Sequence, residues 1–234
     1  MMKNTIEHIF FDLDNTIWDF DANSRLVLTD LFLEFNLENR CGVKLEEFIQ
    51  EYEKINHILW DRLRKDEITK EQLRSSRFYN SMQSFGYDDF ELGYTLEEEY
   101  VKRSPYQKIL VPDAIEVLKK LSHNFKLHII TNGFREVQHI KIDNCGIKEY
   151  FSNIFISEEI GFSKPDKKIF EFSLKSACSR LENSIMVGDD LNIDVIGAIN
   201  CGMRAIHFDR SEHLKEDSSD ILKINQLKQI FKYI

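Results

Sequence analysis

The chain has 234 residues, of which 42% are hydrophobic and 30% charged, enough for one large core or for a core domain with a smaller companion. Its formal charge of -9 excludes a broad surface for a nucleic-acid polymer, which is built on lysine and arginine, so an anionic substrate would need locally placed positive charge. No apolar run reaches membrane-spanning length, and MMKNTIEHIFFD moves directly into a strand pattern without the regions of a signal peptide. No membrane partner and a cytoplasmic location are therefore expected. Cys41, Cys145, Cys178 and Cys201 are widely spaced, with no CxxC and no histidine at zinc-like spacing, and read as reduced thiols in or near the core.

The first element is a buried strand over 7–13, EHIFFDL, ending where Asp-Leu-Asp-Asn-Thr brings in polar groups and turn formers. From about 22 to 101 the chain is charged, poor in Gly and Pro, and patterned at helical period. Leu45, Phe48, Ile49, Tyr52, Ile55, Leu59 and Leu63 lie three and four apart and make one apolar helix face. Helices over 26–37, 71–85 and 89–101 complete a four-helix insert. Beyond Pro112, helices over 113–122, 135–145, 166–179 and 192–201 alternate with strands over 126–131, 153–157, 184–187 and 204–208. A last helix is expected near 221–231, and Gly146 and Gly202 stand where helix C-caps belong. Such alternation predicts an α/β fold, with a mostly parallel sheet covered by helices on both faces. The expected division is a core of residues 1–18 and 103–234 interrupted by a helical domain, 19–102.

In open α/β sheets, ligands bind beyond the carboxyl ends of the strands, and four polar clusters fall at such ends. Asp12 and Asp14 lie where the first strand stops; one carboxylate there can attack phosphorus while its neighbour exchanges a proton with the leaving oxygen. In isolation such a DxD pair is more readily an Asx turn. Thr131 and Asn132 can donate hydrogen bonds to phosphoryl oxygens, and Gly133 lets the loop come close, although T-N-G alone reads as a turn. Lys164, in GFSKPDKKIF, would offset part of the negative charge gathered at this edge. In MVGDDLNIDV, acids again follow an apolar strand; Asp12, the Asp14 carbonyl and Asp189 would supply a magnesium ion with oxygen ligands, while Asp190 or Asn192 can serve as a helix cap. Trp18 and Phe20 follow the first cluster, facing either the helical insert or the core; a base could stack on them, and packing between insert and core explains two aromatics equally well. His57, His128, His139 and His207 read as surface or core-edge residues, neither ligands nor bases.

Taken in order, DLDNT, TNG, KPD and GDDLNID resemble the haloacid dehalogenase superfamily, from Ile9 to about Phe208. The resemblance implies a Rossmann-like core with a helical-bundle cap inserted after the first motif. It also implies Asp12 as the nucleophile that becomes an aspartyl phosphate, Asp14 as the general acid/base and Lys164 as the charge-stabilising residue of the third motif. Thr131 and Asn132 match the phosphate-binding motif and Asp189 the metal-binding one, with Mg2+ as the cofactor. Asp194 matches the outer acid that orients Lys164 or a metal-bound water, and Asp190 stands where many members have Ser. Family members that dehalogenate haloacids lack the second acid, so Asp14 points to a phosphatase.

DNTIWDF, TNGFREVQ and SEEIGFSKPD resemble the pyrimidine 5'-nucleotidase branch, which implies a nucleoside 5'-monophosphate as the small-molecule partner. A phosphosugar mutase or a phosphoglycolate-type phosphatase on the same core stays open, as does a non-enzymatic module, and both monomer and homodimer are compatible with the chain. Substrate choice is expected to lie in the helical insert.

Overall fold

The computed structural model describes residues 5–211 and 221–234. The chain divides into two compact units, residues 1–20 with 108–234, and residues 21–107.

The discontinuous unit is built on a six-stranded sheet of β1 (His8–Phe11), β2 (Lys126–Thr131), β3 (Phe151–Ile156), β4 (Ser184–Gly188), β5 (Arg204–Phe208) and β6 (Leu222–Ile224). The order is β3-β2-β1-β4-β5-β6 and every pairing is parallel. Helices α6 (Ala114–Leu121), α7 (Arg135–Asn144), α8 (Ser157–Ile160), α9 (Lys167–Ser176) and α10 (Gly197–Asn200) connect the strands. Side chains alternate across a strand. Ile9 and Phe11 therefore enter one core with Val117, Leu118, Ile142 and Ile230, whereas Phe10 enters the other with Ile169, Phe170, Val195 and Ala198. Both faces are buried, as an all-parallel sheet requires. In register, Phe11 stands beside Ile129 of β2 and Val187 of β4. The residues that follow these three strands therefore emerge together at one edge, with β1 at the centre.

The continuous unit contains α1 (Phe20–Glu34), α2 (Leu37–Cys41), α3 (Leu45–Arg64), α4 (Lys70–Ser84) and α5 (Phe90–Arg103). Phe48, Ile49 and Tyr52 of α3 join Leu28, Leu31, Phe78 and Leu96 in one core, so the apolar stripe read from α3 is its buried face. Thr69 caps α4 by accepting from the Gln72 amide, and Asp89 caps α5 by accepting from the Leu92 amide. Arg77 and Glu97 pair inside this unit, with Asn56 as a second partner of the guanidinium.

Four local expectations change. The first helix begins at Phe20 and not at 26, and the helical unit gains α2, a short turn ended by Gly42 in the left-handed region. The expected helix over 192–201 opens as a π-helix, Leu191–Ile196, before α10. The expected last helix near 221–231 is instead β6 followed by a 3₁₀ helix, Leu227–Lys232. There Ile221, Ile224, Leu227 and Ile230 recur every three residues, a spacing shared by α and 3₁₀ patterns. Pairing of Leu222 with Ile206 on the sheet edge decides between them. Among the described residues, no helix is long and apolar enough to cross a membrane.

Candidate active site

β1 delivers Asp12 to the sheet edge, where its amide donates to the Val187 carbonyl of β4 (2.9 Å). The next residues turn sharply: the Ile17 and Trp18 amides both donate to the Leu13 carbonyl, and Asn15 sits at φ 59. Opposite Asp12, Lys164 is 1% exposed. Its Nζ lies 2.5 Å from Asp12 Oδ1 and 2.7 Å from Asp194 Oδ1, and donates to the Ile130 carbonyl at 2.8 Å. Burial works against the charge of this ammonium, but Asp12 and Asp194 outweigh it and hold its pKa above that of a free lysine.

Asp194 reaches this position from the π-helix because Gly188 carries no side chain. A Cβ there would lie 2.4 Å from the Asp194 side chain. Asp190 is the cap of that helix, accepting from the Asn192 and Ile193 amides (2.9 and 3.0 Å), which accounts for an acid at this position without a role in chemistry.

Carboxylate oxygens of Asp12, Asp189 and Asp194 lie within 4.8 Å of one another. Burial raises the pKa of Asp12, with Lys164 opposing and Asp194 and Asp189 adding to the rise. Burial and then Asp194 push Asp189 up to about 7. Acids so crowded and desolvated suit a hard cation with oxygen ligands, and the donor set fits magnesium. Asp189 is steadied by His207, whose Nε2 is 2.9 Å from the Asp189 carbonyl, and by the Thr16 hydroxyl at 3.4 Å.

Of the residues singled out in the sequence, Asp12, Lys164, Asp189 and Asp194 form one cluster. Asp14 turns its carboxylate elsewhere: Oδ1 accepts from Lys141 Nζ (2.7 Å) and Oδ2 from Gln138 Nε2 (2.9 Å). Only its carbonyl is then left as an expected metal ligand. Thr131 is nearly buried, its Oγ1 accepting from Gln138 (2.6 Å) and from the Gly133 amide (3.2 Å).

Two expectations are corrected. The Asn132 side chain does not face outward as a free donor; it donates to the Lys164 carbonyl (2.9 Å) and accepts from the Lys164 amide (2.8 Å), fixing the lysine's backbone. Trp18 is 0% exposed within the apolar core, with Lys141 Nζ 4.0 Å from its ring centroid. Packing thus takes precedence over the surface a stacking base would require.

The sequence pattern alone does not single out Gln138, Lys141 and His207 as site neighbours. A signal for the first two exists: they are polar residues three apart on the buried face of α7, beside Ile142, where the helical pattern calls for apolar ones. Arg210 is a further such neighbour; it donates to Asp19 Oδ2 (2.8 Å) and Asn15 Oδ1 (3.1 Å), bracing the turn after β1.

A lysine bridging two buried acids, beside a third acid that suits a cation, stands at the carboxyl edge of a parallel sheet, where enzymes of the open α/β class bind their ligands. The haloacid dehalogenase-like hydrolase profile matches residues 6–202, and the chain belongs to that family. It is 32% identical over 196 residues to the pyrimidine 5'-nucleotidase YjjG of Escherichia coli, covering 83% of this chain and 82% of that one. It is 29% identical over 202 residues to the pyrimidine 5'-nucleotidase PynA of Streptococcus pneumoniae, covering 86% and 82%. Among solved structures, the magnesium-bound HAD-hydrolase YfnB of Bacillus subtilis superposes with a TM-score of 0.84 at 26% identity, covering 97% of this chain and 98% of that one. An L-2-haloacid dehalogenase of Xanthobacter autotrophicus, at 15% identity and a TM-score of 0.72, shares the fold.

Proposed function

We propose that this hydrolase, a phosphatase by family and by its relatives, cleaves nucleoside 5'-monophosphates, pyrimidine ones foremost, with magnesium and through an aspartyl phosphate on Asp12. The observation that carries the chemistry is Lys164 bridging Asp12 and Asp194. It holds one Asp12 oxygen in place and lowers the charge barrier to an approaching phosphate. Asp12 attacks phosphorus, Asp14 protonates the leaving alcohol, and Asp14 then takes a proton from the water that hydrolyses the acyl phosphate. The Thr131 hydroxyl and the amides of the 131–133 loop receive phosphoryl oxygens. Asp12, Asp189 and the Asp14 carbonyl would hold magnesium, with Asp194 beside them; an ion held there would supply positive charge against the phosphoryl oxygens. The helical insert is assigned the choice of leaving group.

Two relatives matched over most of their length bear the name pyrimidine 5'-nucleotidase, which supports the nucleotide reading. Relatives named for glyceraldehyde 3-phosphate and phosphoserine match under half of this chain, whereas one named N-acylneuraminate-9-phosphatase matches 88% of it at 27% identity, so sugar phosphates are the comparison that matters. The test is phosphate release from a panel of monoesters with magnesium. Pyrimidine nucleoside monophosphates should exceed sugar phosphates in kcat/KM, and a chelator should stop turnover. Equal rates across the panel would overturn the substrate assignment, and undiminished turnover under chelation would overturn the magnesium assignment.

A further inference from the structure

We propose that Gln138 and Lys141 are positioning residues for Asp14, an inference that rests on the acid–base reading of Asp14 given above. Both side chains come from one helix, α7, and both are buried. Between them they occupy the two carboxylate oxygens, Lys141 on Oδ1 at 2.7 Å and Gln138 on Oδ2 at 2.9 Å. The same Gln138 amide nitrogen donates to Thr131 Oγ1 at 2.6 Å. The proton-transfer group and the phosphate-binding hydroxyl are thereby fixed to each other through one side chain.

Two features show that this contact is built in. A Cβ on Gly133 would lie 2.1 Å from Gln138 Nε2, so the glycine makes room for the amide to cross to Asp14. Lys141 lies 4.0 Å from the Trp18 ring centroid and 5.6 Å from that of Phe20. Those rings support its charge while Asp14 receives its ammonium. A leucine at 141 would pack on Trp18 without the cost of burying a charge, so the cation serves the carboxylate more than the core. A carboxylate held by both oxygens keeps one orientation, and an error of about 1 Å in such a group can cost on the order of a hundredfold in rate.

The test uses Lys141→Met, which keeps the stem against Trp18, and Gln138→Met, which removes the amide without burying a new charge. Steady-state kinetics on a pyrimidine nucleoside 5'-monophosphate with magnesium should show kcat reduced by about tenfold or more in both variants, with KM within about twofold for Lys141→Met and raised for Gln138→Met, which also frees Thr131. The double-mutant cycle uses single-turnover release, from the same monophosphate, of the nucleoside, a poor leaving group whose departure needs the proton from Asp14. In an Asp14→Asn background, Lys141→Met should change the single-turnover rate by less than about twofold. Wild-type kcat in both single variants overturns the proposal, as does an equal loss in the Asp14→Asn background, which would mark a structural role. If Asp14→Asn alone keeps full turnover, the acid–base reading fails first and takes this inference with it. If Asp14→Asn is inactive while Lys141→Met and Gln138→Met are normal, only the positioning role falls. Should Lys141→Met fail to fold, Gln138→Met and its own cycle with Asp14→Asn decide.

Discussion

A lysine ammonium as buried as Lys164 stays charged only if its partners offset the water it has lost. It has two carboxylates and a carbonyl, and its backbone is held on both sides by the Asn132 amide. Asp12→Asn removes one of those carboxylates along with the proposed nucleophile, yet leaves Asp194 and the Ile130 carbonyl on the ammonium. Turnover should fall by at least about a thousandfold while the circular dichroism spectrum stays that of the parent; activity above a few per cent would refute Asp12 as nucleophile. Gly188 allows a second test at this scale. Alanine there would drive its methyl into the Asp194 side chain and pull one acid off Lys164. Gly188→Ala should therefore lose most activity at little change in secondary structure, and a fully active variant would mean that Asp194 can move without consequence.

Among elements, α4 and α5 are joined by Arg77 and Glu97, which are 5% and 4% exposed. Arg77→Met leaves Glu97 charged and unpaired in an apolar bundle, so denaturant unfolding should show a loss of about 3–5 kcal/mol. Pairing it with Glu97→Leu should restore much of that loss, and the absence of any recovery would show that the pair does more than neutralise itself.

Strands β1 and β2 carry a different buried pair. His8 Nδ1 and His128 Nε2 are 3.0 Å apart with stacked rings. Burial, then Lys126, lowers the pKa of His8, with Glu7 opposing; burial, then His8, lowers that of His128 to about 4, with a hydrogen bond to Asn153 opposing. Each takes up a proton less readily in the fold than in the unfolded chain, where a histidine titrates near 6.5. Their contribution is thus fully present above about pH 6.5 and is lost as pH falls toward about 4, where the unfolded chain binds protons that the fold refuses. His128→Phe, placed between Phe10 and Phe155, should flatten the fall in unfolding free energy across that window. An unchanged pH slope would exclude this pair as the source.

For the whole molecule, the proposed magnesium would bind the native state alone, since three acids lie within 4.8 Å there and the unfolded chain scatters them. Magnesium at about a hundred times its dissociation constant should raise stability by about 2.7 kcal/mol, read as a higher melting temperature that a chelator reverses and that Asp189→Asn removes. A melting temperature indifferent to magnesium would leave the cluster without its proposed ion.

The sequence by itself determined the α/β alternation, long helical patterns such as that of α3, the strands β2 and β5 to the residue, and the acids and lysine of the site. Strand and helix periods are local, and polar groups at the end of an apolar run mark where a buried strand leaves the core. It did not determine the end of the chain, because apolar residues three apart suit a helix as well as the β6 edge strand and 3₁₀ turn that sheet pairing selects. Nor did it determine what surrounds Asp14. Gln138 and Lys141 lie more than a hundred residues away from it in sequence, and only the stacking of α7 on the sheet brings them to its two oxygens. The same holds for Asn132, whose amide a local reading points at phosphate and the tertiary structure assigns to the Lys164 backbone. Long-range packing decides which hydrogen bonds a buried polar group can satisfy, and a burial requirement of that kind leaves no periodic mark in the chain.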